Sequence, residues 1–403
     1  MPDNPFHTID EVWPLRGKRV IVRAGLNVPL ADGVVRDDFR IKEASKTIQF
    51  LQKEGVRVVV LAYIGRDPNE TLKPVYESMK RFLPISWAGG LVDEKAAAAV
   101  SALRDGEAVL LENTRSHLGE ESNDEAFARA LAAYGDIYVN DAFADSHRAY
   151  ASIVGISKYL PSYAGLIFAR EYEMLSHAFN PKHPALFILG GAKFETKLPL
   201  VERFVQKYDH VFIGGAIAND FLKGKGYEVG KSKISDIDLS ASPLRSDPRI
   251  IIPSDVIISG PRRRMTKAAN AVLPEESILD VGPQTVQNLA PFISAAKTIL
   301  WNGPLGNYEG GYDDATIALA KLIADASEHG GAVSILGGGD TIAAIEKLGL
   351  NNKFTFISTA GGAMLQFLET ETLPGIEALT KPSQRDQNKP KQSYIFAKSG
   401  RDS

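Results

Sequence analysis

Five hydrophobic runs in the second half of the chain each pass directly into a turn of small residues, a pattern that few folds other than an open parallel sheet accommodate. The runs are 186–189 into Gly190-Gly191-Ala192-Lys193, 211–213 into Gly214-Gly215-Ala216, and 299–301 into Asn302-Gly303-Pro304-Leu305-Gly306. Two more follow, 333–336 into Gly337-Gly338-Gly339-Asp340-Thr341 and 354–357 into Ser358-Thr359-Ala360-Gly361-Gly362. Ligands of such sheets bind beyond the carboxyl ends of the strands, and the N–H groups that open the next helix attract phosphate. One such turn is weak evidence. Glycine is costly inside regular structure, so five turns in order predict a nucleotide site.

The first half alternates short Val/Ile-rich runs with helical stretches: 20–22, a helix near 43–53, 58–61, a helix near 72–82, 108–111 and a helix near 124–133. This is βα alternation, and it predicts parallel sheets. A helical segment at 163–178 separates an arginine-studded half from a glycine-studded one. The expected organisation is therefore an arginine-bearing domain over 1–162, a connecting helix over 163–178 and a nucleotide domain over 179–375. The segment 376–403, rich in Lys, Gln, Ser and Pro beyond 380, is expected to pack on the first domain. A chain of 403 residues, 44% hydrophobic, is long enough for two cores.

The net charge of −3 gives no global attraction to nucleic acid or anionic membrane, so an anionic ligand must be held by local basic clusters. Without cysteine there is no disulfide framework, thiolate metal site or cysteine nucleophile, and a cytoplasmic location fits best. Neither a secretory leader nor a membrane span is indicated.

Arginines stand just beyond the strands of the first half: Arg23, Arg66, Arg115 and Arg148, with Arg40 able to join them. Guanidinium forks match phosphate and carboxylate oxygens, so convergence of the set suits a small, multiply charged anion. Any one of them alone is more simply a surface residue paired with an acid. In the second half, Lys193 and Lys197 lie four apart at a helix start and could reach one phosphate chain, or be two solvated lysines. Asp340 enters a helix after three glycines, where its carboxylate could meet Mg²⁺ or the helix N-terminus. Thr341 reads as a cap, and Glu309 as a ribose contact or an exposed acid.

Two patterns mislead. The segment from Gly224 to Ser232 looks like a P-loop, but neither Gly224 nor Gly226 has the required spacing to Gly230. His147-Arg148-Ala149 lacks the aspartate of a protein-kinase catalytic loop. The seven histidines show no metal-ligand spacing, and Arg262-Arg263-Arg264 reads as a solvated turn.

Taken together the motifs resemble those of the phosphoglycerate kinase family over most of the chain. The carriers are Arg-Ala-Gly-Leu-Asn-Val-Pro-Leu (23–30), Asp-Asp-Phe-Arg-Ile (37–41), Leu-Leu-Glu-Asn-Thr-Arg-Ser-His (110–117), Val-Asn-Asp-Ala-Phe (139–143), Gly-Gly-Ala-Lys (190–193), Trp-Asn-Gly-Pro-Leu-Gly (301–306), Gly-Gly-Gly-Asp-Thr (337–341) and Leu-Pro-Gly-Ile-Glu-Ala-Leu (373–379). The resemblance implies an α/β fold of two Rossmann-like parallel-sheet domains joined by a hinge helix. It also implies reversible phosphoryl transfer between MgATP and the carboxylate of 3-phosphoglycerate, by a monomer. Arg40 would then lie beside the transferring phosphoryl group. Arg66, Arg115 and Arg148 would hold the substrate's phosphate, and Asn27 its hydroxyl or carboxylate. Lys193 and Lys197 would hold the migrating and nucleotide phosphates, with the Gly361-Gly362 helix start donating to the same oxygens. The resemblance further places Asp340 on the metal and Thr341 on the phosphates, with Gly338 and Gly339 in the same turn. Asn302 and Glu309 would lie at the ribose and nearby phosphates, and Gly214 and Gly215 against the adenine.

Departures from the family pattern cluster on the acid side. Gly25 replaces the aspartate that orients the substrate's hydroxyl, and Tyr63 replaces a histidine. Ser116 replaces a phenylalanine, and Ala144-Asp145-Ser146 replaces the usual Gly-Thr/Ser. In the second half the departures are Glu195-Thr196, Ala216 and Ala360. A kinase that keeps its lysines and arginines but lacks the hydroxyl-reading residue suits 3-phosphoglycerate or a related phosphorylated or phosphonate carboxylate. A specialised paralogue with a different carboxylate and a non-catalytic nucleotide-binding protein are the alternatives.

Overall fold

The computed structural model describes residues 4–192, 197–260 and 263–380. Two compact units are present, one built from Met1–Ala169 together with the segment from Pro374, the other from Arg170–Leu373. The helix Leu166–Ser176 runs from the first into the second. The segment beyond Thr380, expected to pack on the first domain, lies outside the described residues, as does Lys193.

In the first unit the strands are β1 (Arg19–Ala24), the hairpin β2 (Leu30–Ala31) and β3 (Val34–Val35), β4 (Arg57–Leu61), β5 (Ser86–Trp87), β6 (Ala108–Leu110), β7 (Ile137–Asp141) and β8 (Ser162–Ala164). The main sheet runs β5-β6-β4-β1-β7-β8, parallel throughout. Successive residues of β1 and β4 feed opposite faces. Val20, Val22, Val58 and Val60 enter one core, and Ile21, Val59 and Leu61 the other. A sheet buried on both sides needs the near-continuous apolar runs the sequence displays. Asp93 and Asp124 cap the helices that follow them by accepting from the N–H groups of Ala96 and Phe127.

The second unit carries β9 (Ala185–Leu189), β10 (His210–Ile213), β11 (Ile250–Ile251), β12 (Asp255–Gly260), β13 (Arg263–Ala268), β14 (Ser277–Val281), β15 (Thr298–Asn302), β16 (Val333–Gly337) and β17 (Phe356–Ile357). Its main sheet is parallel, in the order β11-β10-β9-β15-β16-β17. Leu186, Ile188, Trp301 and Leu336 pack on one face, and Phe187 meets Phe204 and Tyr208 on the other. The strands β13-β12-β14 form a separate antiparallel sheet. Arg263 and Arg264, read from sequence as part of a solvated turn, lie in β13, and Arg264 pairs with Asp314. The mostly polar run of β13 gave no strand signal.

Candidate functional site

Each main sheet reverses its strand order at one place, beside β1 in the first unit and between β9 and β15 in the second. Crevices open at the carboxyl ends of such strands, and several of the residues singled out from the sequence stand on the loops that follow them.

In the first unit the loops after β1 and β4 are stitched together. The Asn27 side-chain oxygen accepts from the Gly65 N–H at 3.0 Å, and Arg40 donates to the Asn27 carbonyl at 3.0 Å. Arg115 donates to the Gly65 carbonyl, and Arg66, next along the chain, is exposed. The Arg115 guanidinium lies 4.0 Å from the Tyr63 ring centroid, and Arg148 donates to the Tyr63 hydroxyl at 3.3 Å. Tyr63 is buried, and burial first, then the nearby Asp145 carboxylate, pushes its phenol up to about 12. It therefore acts as a neutral donor or acceptor in this cluster.

Arg23 departs from the expectation that it faces an anion. It is an interior residue of β1, fully buried, and its guanidinium is engaged by Asp145 at 2.9 Å, Ser152 at 2.9 Å and the Ala24 carbonyl. Asp145 is itself buried and turned towards that pair. A Cβ on Gly25 would meet only Ala142, at 3.8 Å, so glycine is not required there by crowding.

In the second unit the glycine turns stack on one another. A Cβ on Gly190 would come within 2.2 Å of the Pro304 carbonyl oxygen, and Gly215 has φ +62° with its hydrogen facing Gly191. These contacts demand glycine. Beside them lies a cavity of about 540 Å³ lined by Gly191, Gly215, Leu305, Tyr308, Glu309 and Asp340. Gly214 is buried against Leu305, which leaves Gly215 as the turn residue at the cavity wall. Lys197 precedes the helix Leu198–Phe204, and its ammonium donates to the Gly190 carbonyl at 2.5 Å, at the end of β9. Asn302 is buried at the end of β15, with its amide 3.6 Å from the Met364 sulfur. Gly338, at φ +103°, precedes the helix Gly339–Lys347, whose first turn exposes Asp340. Thr341 is fully buried, and its hydroxyl has no partner among the described residues. Glu309 is exposed on the turn Tyr308–Gly310.

Gly361 adopts φ 56° and ψ −121° and opens the helix Gly362–Thr370. The preceding turn is clamped by Glu171, a buried acid on the helix Leu166–Ser176 that accepts from the Ser358 hydroxyl and from both the N–H and the hydroxyl of Thr359. Sequence reasoning missed Glu171, because an acid in a helical run gives no sign of its direction. It also missed Tyr150, although Tyr150 lies two residues after Arg148. Among the described residues, no group of three or more His, Asp or Glu is placed to hold a metal, and no helix is long and apolar enough to cross a membrane.

Comparison with known proteins bears on the whole arrangement. The family model for phosphoglycerate kinase matches residues 9–371. The chain belongs to the phosphoglycerate kinase family. It is 42% identical over 396 residues to a phosphoglycerate kinase of Methylorubrum extorquens, covering 93% of this chain and 98% of that one. The identity to the Sinorhizobium fredii phosphoglycerate kinase is also 42%, over 93% of this chain and 99% of the relative. Among solved structures, phosphoglycerate kinase from Coxiella burnetii superposes with a TM-score of 0.81 at 37% identity, over 95% of this chain and 100% of that one. The Pyrococcus horikoshii phosphoglycerate kinase gives 0.80 at 29% identity, over 93% and 98%. The two-sheet α/β fold expected from sequence is thus that of the family.

Proposed function

We propose that this protein is a phosphoglycerate kinase-type phosphotransferase, moving a phosphoryl group reversibly between ATP and the carboxylate of 3-phosphoglycerate or a close phosphorylated or phosphonate relative. The observation that carries this reading is the convergence of Asn27, Arg40, Tyr63, Arg115 and Arg148 at one sheet end, in a chain whose full-length relatives are phosphoglycerate kinases. In the forward step a substrate carboxylate oxygen attacks the terminal phosphorus of ATP. The new C(O)O–P bond forms as the bridging O–P bond breaks, and ADP leaves with that electron pair. No enzyme nucleophile is needed, so the protein's contribution is alignment and charge stabilisation.

The acid ligand is assigned to the first unit. Arg66, Arg115 and Arg148 hold its distal phosphate or phosphonate, Asn27 its middle, and Arg40 the carboxylate and transferring group. The adenine nucleotide is assigned to the cavity of the second unit, with Gly215 at the base, Gly214 packed behind it, and Glu309 and Asn302 near the ribose. Lys193, Lys197 and the turns at Gly338–Thr341 and Gly361-Gly362 serve the phosphates. Magnesium commonly takes one or two carboxylates and completes its shell with phosphate and water. Exposed Asp340 beside the unpartnered Thr341 hydroxyl fits that mode. Bound there, the ion would neutralise phosphate charge. A cytoplasmic monomer completes the reading.

Gly25 supports a sharper form in which the preferred acid differs from 3-phosphoglycerate at the hydroxyl-bearing carbon. The test is incubation with MgATP and hydroxylamine, offering 3-phosphoglycerate beside a panel of phosphorylated and phosphonate carboxylates, with trapped hydroxamate and ADP measured together. Hydroxamate with 3-phosphoglycerate supports the general reading, and hydroxamate confined to another acid supports the sharper one. ATP binding with no hydroxamate from any acid would overturn both in favour of a nucleotide-binding protein without turnover.

A further inference from the structure

The arginine–tyrosine cluster of the first unit already contains an anion of its own. The Glu121 carboxylate lies 3.1 Å from Arg115 Nε and accepts from the Tyr150 hydroxyl at 2.9 Å. Tyr150 in turn accepts from Arg115 at 3.0 Å and Arg148 at 3.3 Å, and its ring packs edge-on against Tyr63 with centroids 6.5 Å apart. The Arg115 side chain is only 9% exposed, whereas that of Glu121 is 60% exposed. A solvated carboxylate is therefore paired with a nearly buried guanidinium and a phenol, donors that the oxygens of a phosphate would also seek.

We infer that Glu121 is an internal competitor for the phosphate-holding cluster, and that an incoming phosphate or phosphonate displaces it from Arg115 and Tyr150. This rests on the acid-binding role proposed above for Arg115 and Arg148. Displacement is cheap, because an exposed carboxylate regains water as it leaves, and an ion pair with one solvated partner is weak. It still sets a threshold. A ligand that binds only the uncovered cluster has its affinity reduced by the fraction of molecules in which the cluster is uncovered. With the range usual for partly exposed ion pairs, the reduction is about two- to sixfold.

The experiment is calorimetric titration of the full-length protein and its Glu121→Gln and Glu121→Ala variants with 3-phosphoglycerate, and in parallel with inorganic phosphate. Glu125→Gln serves as a control. Glu125 pairs with Arg129 within its own helix, and its substitution changes the net charge equally without touching the cluster. The expected result is two- to sixfold tighter binding in both Glu121 variants by a similar factor for either probe, with Glu125→Gln unchanged. Tightening for phosphate in a protein that does not bind 3-phosphoglycerate would leave the competitor in place while defeating the proposed substrate. Unchanged or weaker binding of both probes in the Glu121 variants, equal tightening by Glu125→Gln, or no binding of either probe to any variant would overturn the inference.

Discussion

Arg23 donates to Asp145 at 2.9 Å inside the first unit, with both side chains almost wholly removed from solvent. Breaking a buried pair by removing one partner costs about 3–5 kcal/mol, and here the fully buried Glu120, which also attracts the Arg23 guanidinium and shares Ser152 with it, offsets part of that cost. Asp145→Ala should therefore lower the unfolding free energy in urea titrations, by up to about 3–5 kcal/mol. Arg23→Met combined with Asp145→Ala should recover much of it. If Arg23 instead served the ligand, Arg23→Met alone would weaken substrate binding while leaving stability near wild type.

Glu171 holds the turn at Ser358 and Thr359 through three hydrogen bonds of 2.6 to 2.8 Å, two residues before Gly361. Charge-assisted bonds of this kind contribute about 1.5–3 kcal/mol each, so Glu171→Gln should reduce thermal stability. Because the turn leads directly into the proposed phosphate-binding helix start, kcat should fall by about tenfold with a smaller change in the KM for the acid. A fall in Tm with kcat unaltered would mean that the clamp is only structural.

The reach of sequence reasoning divided along the length scale of the signals. The parallel sheets were legible because buried strands such as 186–189 and 299–301 are apolar throughout and end in glycine turns whose crowding admits no side chain. That Arg115 and Arg148 come close to one another follows from their places beyond strand ends, whereas their shared contact with Tyr63 was not foreseen. What a side chain faces was not legible. Arg23 and Arg66 look alike in sequence, yet one is interior to β1 and the other exposed. Strand β13 escaped notice because it is an edge strand whose residues Arg264, Met265 and Thr266 are exposed in succession, so Arg-Met-Thr-Lys carries no apolar alternation.

Asp141 is buried where its carboxylate accepts from the N–H groups of Ile167 and Phe168, at the start of the helix that runs between the units. Burial pushes its pKa up to about 7, and burial raises Asp280 to about 7 as well. An unfolded aspartate titrates near 4, so between about pH 4 and pH 7 the folded state holds the proton more tightly. The stability contributed by each group is present at low pH and lost as pH rises through that window, by on the order of 1–4 kcal/mol. Asp141→Asn and Asp280→Asn should each flatten the dependence of Tm on pH between about 4 and 7, and the wild type should lose stability relative to both variants across that range. Parallel profiles for wild type and variants would contradict the shifted titrations.

The most direct probe of substrate identity is Gly25. Its backbone does not demand glycine, and an added Cβ would sit at ordinary contact distance from Ala142. The β-carbon of an aspartate therefore fits beside Ala142 without displacing it. By resemblance to the family, that carboxylate would accept from the hydroxyl of 3-phosphoglycerate, and such a bond is worth about 1–3 kcal/mol. Gly25→Asp should then raise kcat/KM for 3-phosphoglycerate at least about fivefold, while leaving a carboxylate without that hydroxyl unimproved or worse. The ratio of the two is the informative quantity, because a general loss of activity through misfolding would lower both together. An unchanged ratio would show that the acceptor missing at Gly25 plays no part in choosing the acid.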